Sequence, residues 1–465
     1  MSGCLVFTGP TLAPEAVSAV VPQARVLPPV RHGDLLRLDV GAGDTVLIID
    51  GLFLQTASVR HREILYLLQR GMTVAGSSSM GALRAAELWQ YGMRGFGEVF
   101  RLYRDGEIDG DDEVAIVHGT ADDGYQSYSD PLVSIRIAVR DAARDAVISA
   151  ADARVLLELA VGLPFRSRSF RRLDLVAAEH VSAASVEAFR TWRATRDTDA
   201  KAVDARLMLS AFADGDPELR PAGPGDLPIR NVHTRIFDVW QNRFHGSEAD
   251  GEWVADADAD NVIRVAHPAF RDAHRRQVLS WIAGLDPGHP ALVERAIAAA
   301  RAGGLCGGDP DVSASDDPSA GPDLSVARDR SDAWLMPGEF GQSADELLVT
   351  LLVRAFGAAR GRYRTKWDMP TELRTKAARD WACQFAVDAR VAHEALLGPA
   401  EGPPRKLKPQ AVDQSIADLW GCDIADLQAQ AWDRGIADLA TLREIAQPLV
   451  AYIRFGEPGP PPPIG

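Results

Sequence analysis

The chain is poor in cysteine, with only four among its 465 residues. Cys4, Cys306, Cys383 and Cys422 are widely separated and form no C-x-x-C pair. This spacing argues against a disulfide framework and against a zinc site, because both bring cysteines together in characteristic patterns. We therefore expect reduced thiols.

Long apolar runs are also missing. The sequence contains no stretch of about 18 apolar residues, the length that a membrane-spanning helix needs. The start, Met1 to Pro10, has neither the basic region nor the apolar segment of a secretory signal. From these observations we predict a soluble, cytoplasmic protein without a membrane partner.

Basic residues are fewer than acidic residues, which gives a formal net charge of -15 and a pI near 5.2. Such a chain repels phosphate backbones, so nucleic acid is not an expected partner. What the sequence does have is a hydrophobic fraction of 46%, which is typical of a folded protein. Because one core rarely grows beyond roughly 250–300 residues, we expect two or three cooperating units.

Three short apolar stretches near the N-terminus predict buried parallel strands: Leu5 to Phe7, Val46 to Ile49 and Met72 to Val74. A crossover helix is expected over Val59 to Leu68, and a fourth strand over Val114 to Val117. The predicted fold class is an α/β N-terminal core, with a mostly parallel sheet and flanking helices, followed by a mainly α-helical C-terminal region.

Composition divides the chain further. We predict an α/β core over residues 1–140, a helical region over 141–301 and a second helical region over 333–456. Between the helical regions, residues 302–332 are rich in Gly, Ser, Asp and Pro, which predicts a flexible linker. A proline-rich tail follows over residues 457–465.

Polar residues follow the predicted strands at the points where they end. Because the carboxyl ends of parallel strands meet at one edge of a sheet, a site is expected there. The candidate residues are Thr8, Gly9, Thr11, Asp50, Gly51, Gly76 through Ser79, and His118. Gly9, Thr11 and Asp50 are predicted to bind substrate, although Asp50 could instead bond only to neighbouring loop amides.

The stretch from Val74 to Leu88 predicts a strand, a tight turn and a helix, with Ser79 at the start of the helix. Unpaired N–H groups there favour negative charge, so an oxyanion formed beside Ser79 could be stabilised. Gly81 follows two residues later, as in a nucleophile elbow, but Ser77 occupies the position of the other glycine. The alternative is that these serines only cap the helix.

A series of short blocks occurs in order through residues 4–140. The blocks are Phe7 to Leu12, Leu27 to Val30, Gly33 to Arg37, Ile48 to Gly51, His61 to Leu65, Ser79 to Leu88, Tyr91 to Met93, Tyr103 to Gly106, Asp111 to Ala115, and His118 with Gly119. This series resembles the core of the TfuA-like family. The resemblance covers about the first third of the chain and leaves the helical remainder without a specific assignment.

The resemblance implies an accessory role beside a YcaO enzyme, which activates a peptide amide with ATP during backbone thioamidation of a ribosomally made precursor peptide. It also implies a second partner, a ThiS-like sulfur-carrier protein whose C-terminal thiocarboxylate is hydrolysed to release sulfide. In the family this hydrolysis is ascribed to a serine–lysine pair. Ser79 matches the serine and Met80 would supply the oxyanion donor, and no cofactor is expected.

The lysine of this pair is replaced. Its expected position holds Arg62, and the first lysine in the chain is Lys201. Arginine stays protonated and cannot act as a general base, although it can clamp an anionic thiocarboxylate. Three explanations remain open: His61 or His118 supplies the base; a lysine comes from the helical half or from a partner chain; or hydrolysis is lost. In the last case the protein is a non-catalytic adaptor that recruits YcaO and the sulfur donor.

Two further candidates have ordinary alternatives. Arg84 could grip the tail of the carrier, but it lies three residues from Glu87 on the predicted helix, where an intrahelical ion pair is expected. The acidic turn Asp109 to Glu113 lacks the glycine and the final glutamate of a calcium loop, so no metal site is predicted. A stand-alone serine hydrolase for small esters is a weaker third possibility for the function.

Overall fold

The computed structural model describes residues 3–53, 56–219, 232–303, 334–339, 341–360, 365, 368–398 and 406–463. The chain forms two compact units, Met1–Val232 and His233–Gly465. Most of the predicted linker, residues 304–332, lies outside the described residues, as does Cys306. No described helix combines the length and the apolar character that crossing a bilayer requires.

The first unit begins with alternating strands and helices and continues with helices alone. Its elements are β1 (Cys4–Phe7), α1 (Pro14–Val20), β2 (Arg25–Leu27), β3 (Thr45–Ile48), α2 (His61–Gln69), β4 (Thr73–Ser77), α3 (Met80–Leu88), β5 (Arg94–Phe96), α4 (Gly97–Arg104), α5 (Leu132–Arg144), α6 (Ala150–Gly162), α7 (Phe170–Ala177), α8 (Ala183–Ala194) and α9 (Ala200–Ala213).

The five strands form one parallel sheet in the order β2-β1-β3-β4-β5. The predicted fold class is therefore confirmed, and the three predicted strands correspond to β1, β3 and β4. The fourth predicted strand is wrong, because Val114 to Val117 follows a short 3-10 helix, Asp111–Glu113, and runs as a loop. The next residue, His118, forms an isolated bridge with Ser127.

Both faces of the central strands are covered, which is why their sequences are continuously apolar. All residues of β1, β3 and β4 are buried. One face packs against α2 and α3 through residues such as Ile64, Leu67 and Ala85. The other face packs against α1 and α9, where Val17 and Met208 are fully buried.

Helix α9 packs against the sheet, although four helices, α5 to α8, separate it from β5 along the chain. Ala202, Ala205 and Leu209 pack with Val6 and Ala75 of the sheet in one hydrophobic cluster. Asp204 on the same helix accepts hydrogen bonds from two main-chain N–H groups at the start of α4, at 2.9 and 2.7 Å. The helical region predicted to start at residue 141 thus includes a helix that completes the N-terminal core.

The second unit is mainly helical, with one antiparallel hairpin that the sequence did not predict. Its elements are α10 (Arg235–Phe244), β6 (Gly246–Ala249), β7 (Glu252–Ala255), α11 (Asp256–Ala266), α12 (Phe270–Ala283), α13 (Leu292–Ala302), α14 (Ala344–Arg360), α15 (Lys376–Leu397), α16 (Pro409–Trp420), α17 (Leu427–Asp433), α18 (Leu439–Ala446) and α19 (Val450–Phe455). Helices α11, α12 and α15 to α19 contribute to its largest hydrophobic cluster.

Candidate functional site

The order of the strands creates a crevice at the carboxyl ends of β1 and β3. These two strands are neighbours, but the chain continues from them to opposite sides of the sheet. Open α/β sheets bind ligands outside the strand ends at such a switch point. Thr8 to Thr11 follow β1, and Asp50 with Gly51 follow β3, so the predicted candidates lie at this position.

Asp50 organises the loop that follows β1. Its side chain is only 2% exposed, and Oδ2 accepts hydrogen bonds from the main-chain N–H groups of Gly9 and Thr11, both at 2.9 Å. The Thr11 hydroxyl donates to Oδ1 at 2.6 Å. The structure therefore brings together three residues that were predicted from the sequence to bind substrate, and it gives Asp50 a direct role in shaping their loop.

Replacing Asp50 with asparagine should destabilise the first unit by about 2–3 kcal/mol, because hydrogen bonds to a charged acceptor contribute about 1.5–3 kcal/mol each. The asparagine side chain would place an NH2 donor in a position where the Asp50 carboxylate accepts hydrogen bonds from three donors. Chemical denaturation of both proteins measures the difference. Asp105→Asn is the control: Asp105 pairs with its neighbour Arg104 on the surface, so the unfolding midpoint should not move. Equal midpoints for Asp50→Asn and the wild type would contradict the role of Asp50.

The turn between β4 and α3 has an unusual backbone. Ser78 is fully buried with a φ of 70°, a left-handed conformation that is uncommon outside glycine. The Ser79 N–H bonds to the Ser77 carbonyl at 2.8 Å, and Ser79 has φ and ψ near -120°. Backbone strain of this kind is concentrated at functional sites.

Ser79 occupies the position before α3, yet its side chain makes no capping hydrogen bond to the helix. The interpretation of Ser79 as a simple helix cap is therefore wrong. The residue is 5% exposed. Met80 begins the helix beside Gly51, where an added Cβ would lie 2.6 Å from the Met80 Cγ. The turn that carries Ser79 thus adjoins the end of β3, next to Asp50.

Two glycines allow α3 to approach the sheet this closely. A Cβ on Gly76 would lie 2.1 Å from the Gly81 carbonyl oxygen, and a Cβ on Gly81 would lie 1.8 Å from that of Ile48. The Gly81 N–H reaches the Ile49 carbonyl at 3.3 Å. The elbow-like glycine at position 81 therefore has a definite steric role, which sequence spacing only suggested.

Lys201, the second residue of α9, reaches the same end of the sheet. The Ser78 hydroxyl donates to the Lys201 carbonyl oxygen at 2.7 Å, and the Lys201 Nζ donates to the Val114 carbonyl oxygen at 3.2 Å. Burial lowers the pKa of this amine, while the charges of Asp50 and Asp199 oppose that effect. A buried amine with a lowered pKa can act as a general base.

Sequence reasoning did not select Lys201 as a site residue. It left open only the possibility that some lysine from the helical half reaches the site. A weak signal was available, because Lys201 interrupts an otherwise apolar helix start between Ala200 and Ala202.

Lys201 also lines a cavity of about 170 Å³, which we call the Lys201 cavity. The cavity lies between the loop after β1, the segment before α5, and the starts of α5, α7 and α9. The polar residues that line it include Thr11, Asp130, Ser134 and Asp199. The loop that Asp50 stabilises therefore forms part of the wall of the Lys201 cavity.

His61 and Arg84 lie in a different cluster, on α2 and α3. The carboxylate of Glu87 contacts the His61 Nε2 at 2.8 Å and the Arg84 Nη1 at 2.6 Å. Burial favours a higher pKa for Glu87, but the hydrogen bond to His61 and the charge of Arg84 outweigh it and lower that pKa. Arg84 also donates to the Val59 carbonyl, at 3.1 Å, so it holds the segment before α2. These contacts fit the intrahelical pair expected for Arg84.

Arg62 and His118 make other contacts. The Arg62 Nη1 donates to the Val232 carbonyl oxygen at 2.9 Å. The His118 ring contacts the Gly119 carbonyl oxygen at 2.7 Å and packs edge-on against Tyr125. Within the described part of the chain, neither of these side chains, nor that of His61, hydrogen-bonds to Ser79. Over the same residues, no group of three His, Cys, Asp or Glu side chains is arranged to hold a metal ion.

The parallel sheet, the strained serine turn and the buried amine at its carboxyl edge belong to one α/β domain. Residues 50–169 match the family model described as TfuA-like protein. Over these residues the chain is similar to the TfuA-like family, as the sequence resemblance predicted. The match includes Asp50, Ser79 and His118, and it ends before Lys201. No curated protein matches the chain.

Proposed function

We propose that this protein is an accessory factor for YcaO-dependent backbone thioamidation, and that it hydrolyses the C-terminal thiocarboxylate of a ThiS-like sulfur carrier. Ser79 is the nucleophile and Lys201 is the general base. The observation that carries this proposal is the meeting of Lys201 with the serine turn, through the 2.7 Å hydrogen bond between the Ser78 hydroxyl and the Lys201 carbonyl. This contact brings the main chain of Lys201 to the serine turn, and it supports the proposal that the Lys201 amine takes the place of the missing family lysine.

The proposed reaction has two steps. The Ser79 hydroxyl loses its proton to the neutral Lys201 amine and attacks the carbonyl carbon of the thiocarboxylate. The Lys201 ammonium returns this proton to the sulfur as the carbon–sulfur bond breaks, so that hydrosulfide leaves, the carrier remains as an ester on Ser79, and the Lys201 amine is neutral again. Water attacks this ester with Lys201 as base, which regenerates Ser79 and releases the carrier with an ordinary carboxylate. The Met80 N–H at the start of α3 stabilises the oxyanion in both steps.

The burial of Lys201 supports this role. Its side chain is 2% exposed, and desolvation lowers the pKa of its amine, so a larger fraction is neutral near physiological pH than for a surface lysine. The negative charge of Asp50 opposes this effect of burial, because it raises the pKa of the Lys201 amine. Arg62 could not replace this base, because a guanidinium stays protonated.

Ser79→Ala should reduce sulfide release from a thiocarboxylated carrier by at least about 1,000-fold, because removal of a nucleophile removes the covalent route. Sulfide is measured over time with the purified carrier. Ser18→Ala, on the exposed face of α1, is the matched control and should keep the wild-type rate. If Ser79→Ala and the wild type release sulfide equally fast, Ser79 is not the nucleophile.

The adaptor function is the second candidate, and one observation favours it. Ser79 is only 5% exposed, which leaves little of its side chain accessible to a carrier tail. As an adaptor, the protein would bind YcaO and the carrier while releasing no sulfide. A pull-down with both partners, the precursor peptide included, separates the candidates: partner binding that survives Ser79→Ala without any sulfide release by the wild type favours the adaptor.

A further inference from the structure

Helix α4 begins without a capping side chain of its own. Phe96 occupies its N-cap position and makes no hydrogen bond to the helix. The carboxylate of Asp204 on α9 bonds to the first turn instead: the Glu98 N–H donates to Oδ1 at 2.9 Å, and the Val99 N–H donates to Oδ2 at 2.7 Å. A carboxylate at this end of a helix satisfies unpaired N–H groups and interacts favourably with the helix dipole. Helix α9 therefore supplies the cap of α4.

Gly97 makes room for this cap. It has a φ of 89°, and an added Cβ would lie 2.0 Å from the Asp204 Cγ. The carboxylate thus lies directly against the main chain of Gly97 while it accepts from both N–H groups. A slip of α9 by one residue would move it by about 1.5 Å and turn it by about 100°, which breaks this contact.

Apolar packing alone does not fix the register of α9 at its first turn. The side chains that pack on the sheet there are small, as in Ala202 and Ala205, and a unique arrangement depends on specific side-chain shapes. Cavities also flank this turn. One is the Lys201 cavity, of about 170 Å³. The other, of about 370 Å³, is lined by residues that include Glu98, Val203 and Asp204, and we call it the Asp204 cavity. Polar contacts therefore determine where the first turn lies.

The burial of Asp204 favours a positioning role over a stabilising one. The residue is 4% exposed, and burial raises the pKa of its carboxyl to about 6, although the bonds from Glu98 and Val99 and the charge of Arg101 lower it. The charge of Glu98 raises it further. Because folding raises this pKa, the ionised carboxylate costs free energy in the folded chain at neutral pH. Groups perturbed in this way are concentrated at functional sites.

We propose that Asp204 is a positioning residue, which sets the register of α9 by capping α4 and thereby holds the Lys201 amine at the serine turn. Lys201 precedes Asp204 by three residues, so the two lie within one turn of α9 and move together. In this register Lys201 meets the Ser78 hydroxyl and the Val114 carbonyl. The inference rests on the proposed function, because it names the residue that places the proposed base.

Acetylation with acetic anhydride measures the placement of Lys201 without any carrier or sulfide. Mass spectrometry follows each lysine of the chain separately, namely Lys201, Lys366, Lys376, Lys406 and Lys408. Lys376, whose side chain is 87% exposed, is the internal reference. We expect Asp204→Asn to raise the acetylation rate of Lys201 relative to Lys376 at least about 10-fold, because an amide oxygen satisfies only one of the two N–H groups and α9 opens more often. An unchanged relative rate overturns the inference.

Kinetics separate the placement of the base from a loss of folded protein. Asp204→Asn should lower kcat for sulfide release about 100-fold at an unchanged KM, the usual effect of displacing a reacting group by about 1 Å. The midpoint of its rate against pH should move to higher pH, because a Lys201 amine that gains solvent regains part of its ordinary pKa. Ser149→Ala, which removes the cap of α6, is the matched control and should keep the wild-type kcat, midpoint and Lys201 acetylation.

Circular dichroism shows whether each variant folds. If Asp204→Asn does not, Asp204→Ala replaces it, because water from the Asp204 cavity then reaches the two N–H groups. Failure of both variants to fold overturns the inference, since Asp204 is then required for the fold as a whole. Faster Lys201 acetylation in a folded variant supports the inference even where the wild type releases no sulfide, a result that removes the proposed function alone. Wild-type kinetics in folded Asp204→Asn overturn the inference and leave the proposed function intact.

Discussion

Lys201→Met should lower sulfide release from the thiocarboxylated carrier by about 100-fold to 10,000-fold, the usual contribution of a general base. Methionine keeps the length of the side chain but cannot accept a proton. Lys376→Met is the matched control, since Lys376 lies on the surface of the second unit, where it forms an ion pair with Asp380. Retention of the wild-type rate by Lys201→Met would assign the base to another residue.

The same variant should lose only part of its stability. Methionine removes the desolvation cost of the buried amine, but it leaves the buried Val114 carbonyl without the hydrogen bond from the Lys201 Nζ, and an unsatisfied buried carbonyl costs about 1–3 kcal/mol. We expect the free energy of unfolding to fall by no more than about 3 kcal/mol. A loss of activity in a variant that is still fully folded separates a catalytic role from a structural one.

The pH dependence of the wild type follows from the direction of the Lys201 pKa shift. Because the neutral amine is the active form, sulfide release should rise with pH through a midpoint below the ordinary lysine value of about 10.4. Between these two values the unfolded chain binds more protons than the folded chain, so stability should also rise with pH there, and Lys201→Met should lack this rise. Asp50→Asn should move the rate midpoint to lower pH, because the Asp50 charge raises the Lys201 pKa.

Gly81→Ala should be the most destabilising single change in the first unit, costing more than about 4 kcal/mol or preventing folding. The added Cβ would lie 1.8 Å from the Ile48 carbonyl oxygen, and both groups belong to buried main chain that cannot move aside. Changes of this size are exceptional and arise from specific steric or packing faults. Chemical denaturation, or the soluble yield where no folded protein is obtained, measures the effect.

Gly162→Ala is the matched control for Gly81→Ala. Gly162 is the last residue of α6, and a Cβ there would meet nothing within 4 Å. Alanine favours a helix over glycine by up to about 1 kcal/mol, so stability should be unchanged or slightly higher. If Gly81→Ala unfolds at the same denaturant concentration as the wild type, α3 does not approach β3 as closely in solution as the structure describes.

Much of the sheet was predictable because its central strands are buried on both faces. Their continuous apolar stretches are therefore visible in the sequence. Strands β2 and β5 were missed, since each has three residues and is partly exposed at an edge of the sheet. The segment Val114 to Val117 was wrongly predicted to be a strand because its apolar residues Val114 and Ala115 are buried although they lie in a loop. The Val114 carbonyl accepts a hydrogen bond from Lys201 instead of from a neighbouring strand.

By itself, the sequence determined that Gly9, Thr11 and Asp50 meet and that Ser79 lies at a strand-to-helix turn. Both follow from local pattern, because parallel strands bring their carboxyl ends to one edge. Only the tertiary structure showed which distant residue contacts that turn. Lys201 is 123 residues from Ser78, and its place depends on α9 packing its apolar face against the sheet. Local sequence carries no information about which distant helix covers a given face, so Lys201 could be proposed as the base only from the folded chain.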